Sequence, residues 1–533
     1  MIPSNDGVAF REMICGEKFY YGAEVVTTRG LPAPGSPADV AAFAKALLAD
    51  PRIGWISITD SPGGAPMLPP GWLGGLVAEH RSRVVLHMTC KDVNRNGLES
   101  TAWRYASEGF ENLLALTGDL PTTGFGGKAP GVFDLDSVAL VALLRSMNEG
   151  LRVPGRRGDL ETLPKTNFFV GCAVSPFKRH ERELMPQYFK LVRKIAAGAQ
   201  WVIPQLGYDM RKFHEVKLLL ASRGIGVPVI GNVYLLSKGV AKVFNSGKLA
   251  GCVVSDELLQ TCEKYAAGPD KGQKFFRELA AKQLAVFKGL GFTAGYLGGI
   301  SKPDTFGQII ETAESYGPEA WREFVKEICF SQPGEFFLFE HDANTKLAEP
   351  ARINPEYLQS LEHPAKTRNV TLGYRFSRGL HAAFFDRGRG MYGLMRRLFG
   401  RWDRKPGLFG RLAFAFEKGS KRLAFGCQDC GDCSLPDCAY LCPKYACSKS
   451  GRNGPCGGSA DGRCELDDKD CFWARVYERL KYYGESQHML DRPVVLYDAK
   501  LQHTSSWSNT FLDRDHAATS SGSPSDAANE PRP

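Results

Sequence analysis

Nine of the fifteen cysteines lie between Gly426 and Phe472: Cys427, Cys430, Cys433, Cys438, Cys442, Cys447, Cys456, Cys464 and Cys471. The first three are spaced C-x2-C-x2-C, and Pro443 follows Cys442. Thiolates two residues apart can grip one metal centre from a tight turn, and a string of them can hold iron–sulfur clusters or zinc. The competing reading is a secreted disulfide knot. The odd count argues against it, as does an N-terminal stretch with no basic run leading into an apolar one. The other six cysteines (Cys15, Cys90, Cys172, Cys252, Cys262, Cys329) are scattered, as expected of reduced cytoplasmic thiols.

A second set of chemistry-bearing residues is spread over the first half of the chain. Glu24, Thr59, His87, Thr89, Asp119, Gln205 and Asn232 each stand at or near the end of a short apolar run. Carboxylates and an imidazole at such positions suit proton transfer and the binding of a polar ligand. Eight runs are available to position them: Phe19–Val26, Trp55–Thr59, Val84–Thr89, Asn112–Leu116, Phe168–Val174, Trp201–Gln205, Pro228–Tyr234 and Ala294–Gly299. Amphipathic stretches such as Pro37–Ala49 and Leu184–Ala197 alternate with them. The pattern predicts an α/β chain with a (β/α)8 TIM barrel, whose strand C-terminal face carries the active site. A doubly wound open sheet would alternate similarly, but no G-x-G-x-x-G follows an early strand.

The barrel is expected over residues 1–317. An irregular stretch and then a basic helical connector follow over 318–424, with a helix at Pro318–Phe330. The small cysteine-rich metal-binding domain spans 425–490 and ends in the helix Phe472–Gly484. The tail is 491–533; from Gln502 onward it is rich in Ser, Asp, Ala and Pro, has too little apolar content to fold, and is expected to be disordered. Between Lys366 and Arg422 fifteen Lys and Arg face three acids, whereas the whole chain has a net charge of +9. This stretch reads first as a solvated connector, next as a docking face for an acidic protein, and last as a surface for nucleic acid or anionic lipid. No apolar run is long enough to span a membrane.

Taken together, Ala23–Glu24, Ile58–Thr59, HMTC at His87–Cys90 and LALTGDLP at Leu114–Pro121 resemble methylenetetrahydrofolate reductase. Lys194–Ala199, Gln205, Asp209, Val229–Gly231 and Phe244 extend the resemblance over roughly Phe19–Thr312. Cys427–Cys433, Cys442–Pro443, Cys447–Lys449, NGPCGG at Asn453–Gly458, Cys464–Glu465 and Cys471–Trp473 resemble the metal-binding module of acetogen-type members of that family, here fused to the barrel. Eight cysteines fit the module pattern, and Cys438 is additional.

The resemblance implies flavin-dependent reduction of 5,10-methylenetetrahydrofolate to 5-methyltetrahydrofolate. It assigns Glu24 as general acid and Asp119 as the carboxylate beside flavin and pterin. Thr59, His87, Thr89, Thr117, Gly118, Asp119, Lys194 and Ala199 are implied for the flavin (FAD, with FMN as the alternative). Glu24, Asp119, Gln205 and Phe244 are implied for the folate. Cys427, Cys430, Cys433, Cys442, Cys447, Cys456, Cys464 and Cys471 are implied as ligands of 4Fe–4S clusters or zinc. NAD(P)H, or an acidic protein such as ferredoxin, would be the reductant, and a cytoplasmic homo-oligomer without a nucleic-acid partner is expected. Thr27-Thr28, Val240 and the Cys172–Pro176 region depart from the family pattern. Two alternatives remain open: a pterin-binding methyltransferase with thiolate-bound zinc, and a non-catalytic electron-transfer subunit.

Overall fold

The computed structural model describes residues 8–32, 39–121, 123–155, 159–404, 407–466 and 468–518. Eight parallel strands form one sheet: β1 (Tyr20–Val25), β2 (Trp55–Ile58), β3 (Val84–Thr89), β4 (Asn112–Leu116), β5 (Phe169–Val174), β6 (Trp201–Pro204), β7 (Ile230–Tyr234) and β8 (Ala294–Gly298). Their order is β6-β5-β4-β3-β2-β1-β8-β7. A bridge from Val202 to Val229 joins the two ends, with Val202 N–H donating to Pro228 O at 2.9 Å. The sheet therefore closes into the expected TIM barrel. The strands stop up to two residues inside the apolar runs. Pro228 has no N–H for the ladder, and Gly299 turns the chain with φ +73°.

The helix Phe10–Cys15 plugs the strand N-terminal end. Phe10 lies edge-on to Trp55 and Trp201, at centroid distances of 4.8 and 5.3 Å. This apolar plug leaves the polar strand ends to the opposite mouth.

Beyond the barrel the expected helix at 318–330 is confined to Trp321–Glu327. The stretch 333–361, expected to be irregular, contains a two-stranded ribbon (Phe339–His341 with Ala348–Ile353) and the helix Pro355–Glu362. Asn354 Oδ1 caps that helix by accepting from Glu356 and Tyr357 N–H. The basic connector is three helices, Leu372–Phe384, Gly390–Arg404 and Leu408–Phe425. The cysteine module follows and ends in the helix Phe472–Tyr482.

Residues 502–518 correct the expectation of disorder. They carry the helix Ser506–Phe511 and fold back onto the module. Phe511 is buried against Phe385, Tyr392 and Phe399, and polar anchors add to this. Buried His516 lies between Asp432 and Asp437, and Asn509 Nδ2 donates to Gly431 O at 3.0 Å. The remainder of the expected disordered tail, 519–533, lies outside the described residues.

The helix Glu181–Ala196, which follows β5, joins barrel and module. Arg193 donates to Asn453 O at 3.1 Å and Pro493 O at 2.8 Å, and Lys190 to Pro455 O at 3.0 Å. Asp136, the N-cap of the helix Ser137–Glu149, also accepts from Asn453 N–H at 2.8 Å. Tyr477 OH reaches back to Glu181 at 2.5 Å. These buried charges meet mostly main-chain groups, so the module sits across the barrel mouth in a fixed register.

Candidate functional site

A cavity of about 270 Å³ opens at the strand C-terminal face. Glu24, Thr59, His87, Thr89, Thr117, Gly118, Asp119, Lys194, Gln205 and Asn232 all line it. An adjoining cavity of about 480 Å³ shares Asp119 and Gly251 and is lined by Phe244. Ala199 lines neither. It precedes β6, at the end of the barrel away from the mouth, and its N–H donates to Lys194 O at 3.0 Å.

Burial pushes the Glu24 carboxyl up to about 7, against hydrogen bonds from Tyr296 and the Gly299 backbone. Tyr296 OH donates to Glu24 Oε2 at 3.3 Å. Tyr296 also hydrogen-bonds Ser57, whose hydroxyl lies 2.6 Å from His87 Nε2. Burial lowers His87 to about 4, so its ring is neutral at physiological pH. In the run Glu24, Tyr296, Ser57, His87, the other three groups are uncharged, so Glu24 is its one protonatable carboxyl.

Asp119 is held from the other side, with Oδ2 accepting from Gly63 N–H at 2.8 Å. The preceding Gly118 has φ +86°, and a Cβ there would come within 3.0 Å of both Lys91 and Thr89. Only glycine turns β4 tightly enough to aim Asp119 into the mouth. Thr89 is pinned by Asp60, which accepts from its N–H at 3.0 Å and its hydroxyl at 2.6 Å. Lys194 reaches Ala173 O at 2.6 Å, and burial lowers it to about 8.

Three buried polar atoms lining the smaller cavity have no partner among the described residues: Thr59 Oγ1, Ser175 Oγ and Gln187 Nε2. Each costs about 1–3 kcal/mol unless something polar meets it. They fit a polar ligand lying against the strand ends.

The module closes this cavity. Lys449, Cys456, Gly457, Gly458 and Glu465 form part of its wall. Lys449 is buried, pairs with Glu465 at 2.6 Å and donates to Gly118 O at 3.0 Å. Burial disfavours its charge, but Cys456 and Glu465 outweigh that and raise its pKa.

The described cysteines are all free thiols. Eight of them fall into two electrostatically coupled sets. Cys427, Cys430, Cys433 and Cys442 form one, and Cys447, Cys456, Cys464 and Cys471 the other. Burial, then Cys456, pushes Cys447 up to about 11 and Cys471 up to about 12. A buried cation serves each set: Lys421 Nζ is 3.7 Å from Cys433 Sγ, and Lys449 faces Cys456. Cys438 is fully buried in the apolar core. Among the described residues no three or more His, Cys, Asp or Glu converge as a single-ion site. The fit to a metal centre therefore rests on the donor chemistry, four thiols and a cation per set.

Tyr296, Ser57, Asp60, Gln187, Lys449 and Glu465 were not anticipated from sequence. Tyr296 had a signal, since it stands two residues from Ala294 and Gly298 in β8 and so shares their face. Lys449 and Glu465 stood in the module motifs, but nothing there placed them at the barrel mouth, because they arrive by docking of a distant domain.

Residues 47–292 match the family model described as methylenetetrahydrofolate reductase, and residues 409–499 match the one described as methylene-tetrahydrofolate reductase C terminal. One polypeptide thus carries both domains. The 5,10-methylenetetrahydrofolate reductase of Salmonella typhimurium is 27% identical over 28% of this chain and 43% of its own length. Methylenetetrahydrofolate reductase 2 of Schizosaccharomyces pombe is 26% identical over 37% of this chain and 29% of its own. The chain therefore spans less than half the length of these relatives. A solved structure, an uncharacterized protein from Clostridium thermocellum that binds two copies of 5-methyl-5,6,7,8-tetrahydrofolic acid, aligns with TM-score 0.40 and 10% identity over 57% of this chain and 96% of that one.

Proposed function

We propose that this chain reduces 5,10-methylenetetrahydrofolate to 5-methyltetrahydrofolate, with a flavin in the barrel mouth and reducing equivalents entering through the cysteine module. The observation that carries the reading is Glu24, a cavity carboxyl raised to about 7 and set beside Asp119 at the strand ends. The two family matches support it.

The substrate's five-membered ring must open before its methylene carbon accepts hydride, and opening needs a proton on the departing nitrogen. Glu24 is half protonated near neutrality and supplies that proton, while Tyr296 orients it. Asp119, fixed by Gly63, accepts N–H groups of the pterin. Gln205 Oε1 already accepts from Leu206 N–H at 3.0 Å, which leaves its amide N–H groups to donate to the pterin. Phe244, its ring 5.5 Å from that of Tyr234, packs on the rest of the folate in the larger cavity.

Thr59, His87, Thr89, Thr117, Gly118 and Lys194 would hold the flavin, as FAD or, under this closed roof, FMN. Ala199 is too far along the chain from the mouth to touch it. Bound flavin would supply hydride transfer. Iron–sulfur clusters on the two cysteine sets would supply single-electron transfer, whereas zinc there would be structural. The reductant, in the cytoplasm, is an acidic ferredoxin-like protein giving single electrons to the clusters or, where the module is structural, NAD(P)H giving hydride directly to the flavin.

Anaerobically purified protein is expected to be yellow, to carry iron and sulfide, and to form methyltetrahydrofolate. Glu24→Gln should bind flavin yet lose folate reduction. A colourless protein, or full folate turnover by that variant, would overturn the reading.

A further inference from the structure

The helix Leu408–Phe425 is oriented unlike an ordinary surface helix. It buries Glu417 and Lys421, leaves Arg411 and Arg422 exposed, and turns apolar residues outward as well. Glu417 is 3% exposed and accepts from Ser505 Oγ and Ser506 Oγ at 2.6 Å and from Trp507 N–H at 3.1 Å. Lys421 is buried beside it, at 3.1 Å. On the outer side Leu408 is 70% exposed, Leu412 56%, Phe416 68% and Leu423 93%. Their spacings of four, four and seven residues place them in one stripe along a helix about 27 Å long.

The stripe continues onto a neighbour. Phe376 and Leu380, both exposed, face Phe416 across a mostly apolar groove of about 350 Å³. Arg411 and Arg422 lie on the same helix and Arg397 and Arg401 on the preceding one, Gly390–Arg404; all four are exposed and, among the described residues, without ion-pair partners. The acids of the segment are committed: Glu417 is buried, Asp403 pairs with Arg514, and Asp386 pairs with Arg389. The outer face is therefore apolar and positively charged.

We infer that this face lies on an anionic membrane surface, with Leu408, Leu412, Phe416 and Leu423 entering the headgroup–acyl boundary, the arginines meeting lipid phosphates, and hydrocarbon filling the groove. A Leu/Phe stripe flanked by Arg and Lys is the composition of interfacial helices. No helix among the described residues is long and apolar enough to cross a membrane, so the association is one of lying on the surface.

Other occupants fit less well. A second copy docking by the same face would set arginine rim against arginine rim. Transient redox encounters are small, below about 1,200 Å², and charge alone would serve them, so a long apolar stripe is left unexplained. Residues 519–533 contain no Val, Ile, Leu, Met, Phe, Tyr or Trp that could cover it.

The test is co-sedimentation of the full-length holoenzyme with phosphatidylcholine vesicles, with and without phosphatidylglycerol. Binding is expected only with phosphatidylglycerol and should weaken with salt. A double variant, Leu412→Asp with Phe416→Asp, should bind about a hundredfold more weakly. Arg411→Glu with Arg422→Glu should lose at least about tenfold. Folate turnover should be unchanged in both. If the apolar double variant loses its near-ultraviolet circular dichroism, Leu423→Asp carries the same test with about a tenfold loss. Three results would overturn the inference: no sedimentation with phosphatidylglycerol vesicles, sedimentation indifferent to the apolar substitutions, or substitutions that instead dissociate an oligomer or release an acidic partner protein.

Discussion

The pH dependence of folate reduction is the sharpest consequence of the site. Burial raises Glu24 from 4.5 to about 7, so its protonated form declines tenfold per pH unit above neutrality. If proton donation by Glu24 limits turnover, kcat should be level below pH 7 and fall along a limb centred near 7. Removing the donor, Glu24→Gln, should cost about 10²–10⁴ in rate and abolish the limb. Tyr296→Phe is the finer perturbation. The tyrosine hydroxyl bonds the carboxylate and lowers its pKa. A hydrogen bond to a charged group contributes about 1.5 kcal/mol at this length, or about one pH unit. The limb should therefore move upward in Tyr296→Phe, with maximal kcat little changed. Stability gives an independent check. The folded value lies above the unfolded one, so the folded protein binds more protons, and stability falls as pH rises from 4.5 through 7. Above that range the ionised carboxylate costs about 2 kcal/mol once solvent in the cavity is allowed for. Glu24→Gln should recover about that much in urea unfolding at alkaline pH. A rate level across neutrality in the parent protein, or a limb that moves downward in Tyr296→Phe, would refute the assignment.

Three further outcomes are expected. Cys430→Ser and Cys456→Ser each disrupt one four-thiol set, so each should lower iron by about half, from roughly eight to four per chain if both sets hold clusters; loss of all metal in either variant would mean one shared centre. Arg193→Ala strips the donor from four acceptors at the junction (Asn453 O and Oδ1, Arg492 O, Pro493 O) and should destabilise module docking by about 3–5 kcal/mol in denaturant, with new protease cleavage between 425 and 500. His516 is buried, which disfavours its charge, but Asp437 and Asp432 outweigh that and raise its pKa well above 6.5, so its contribution is complete below 6.5 and lost as pH rises through the folded value; the 502–518 segment should resist proteolysis at neutral pH and become cleavable under alkaline conditions, and His516→Gln should be cleavable at both.

The barrel was legible because its strands are continuous apolar runs, buried on both faces as parallel strands must be. Polar residues at the ends of those runs could point only to the mouth, which is why Glu24, Thr59, His87, Thr89, Asp119, Gln205 and Asn232 meet in one cavity. Composition failed for the tail because it weighs apolar content alone. The segment needs only two aromatics, Trp507 and Phe511, packed on Phe385, Tyr392 and Phe399, because hydrogen bonds from Ser506, Asn509 and His516 to Glu417, Gly431 and Asp432 hold the rest and carry no hydrophobic signal. The basic connector was legible as basic and helical, but not in its orientation. Its arginines suggested a solvated surface, and only the orientation of the helix Leu408–Phe425 reveals that its apolar residues face outward.

The junction of barrel and module shows why the site itself was only half readable. The stretch Asn453–Gly458 looks in sequence like a metal-binding turn, yet most of its atoms serve docking. Asn453 is bonded by Arg193 and bonds Asp136, while its Oδ1 accepts from Val495 N–H at 2.7 Å. Gly454 has φ +130°, and a Cβ there would lie 2.9 Å from the Lys190 side chain. Gly457 O accepts from Lys178. Main-chain carbonyls accept these bonds whatever side chains they carry, so no residue pattern announces the contact. The consequence is chemical. The turn that presents Cys456 to its cysteine set also seats Cys456 in the wall of the cavity holding Glu24 and Asp119. A metal centre on that set would be adjacent to the ligand pocket without any connecting element. The fusion of the two domains therefore does more than tether them, because it completes the cavity.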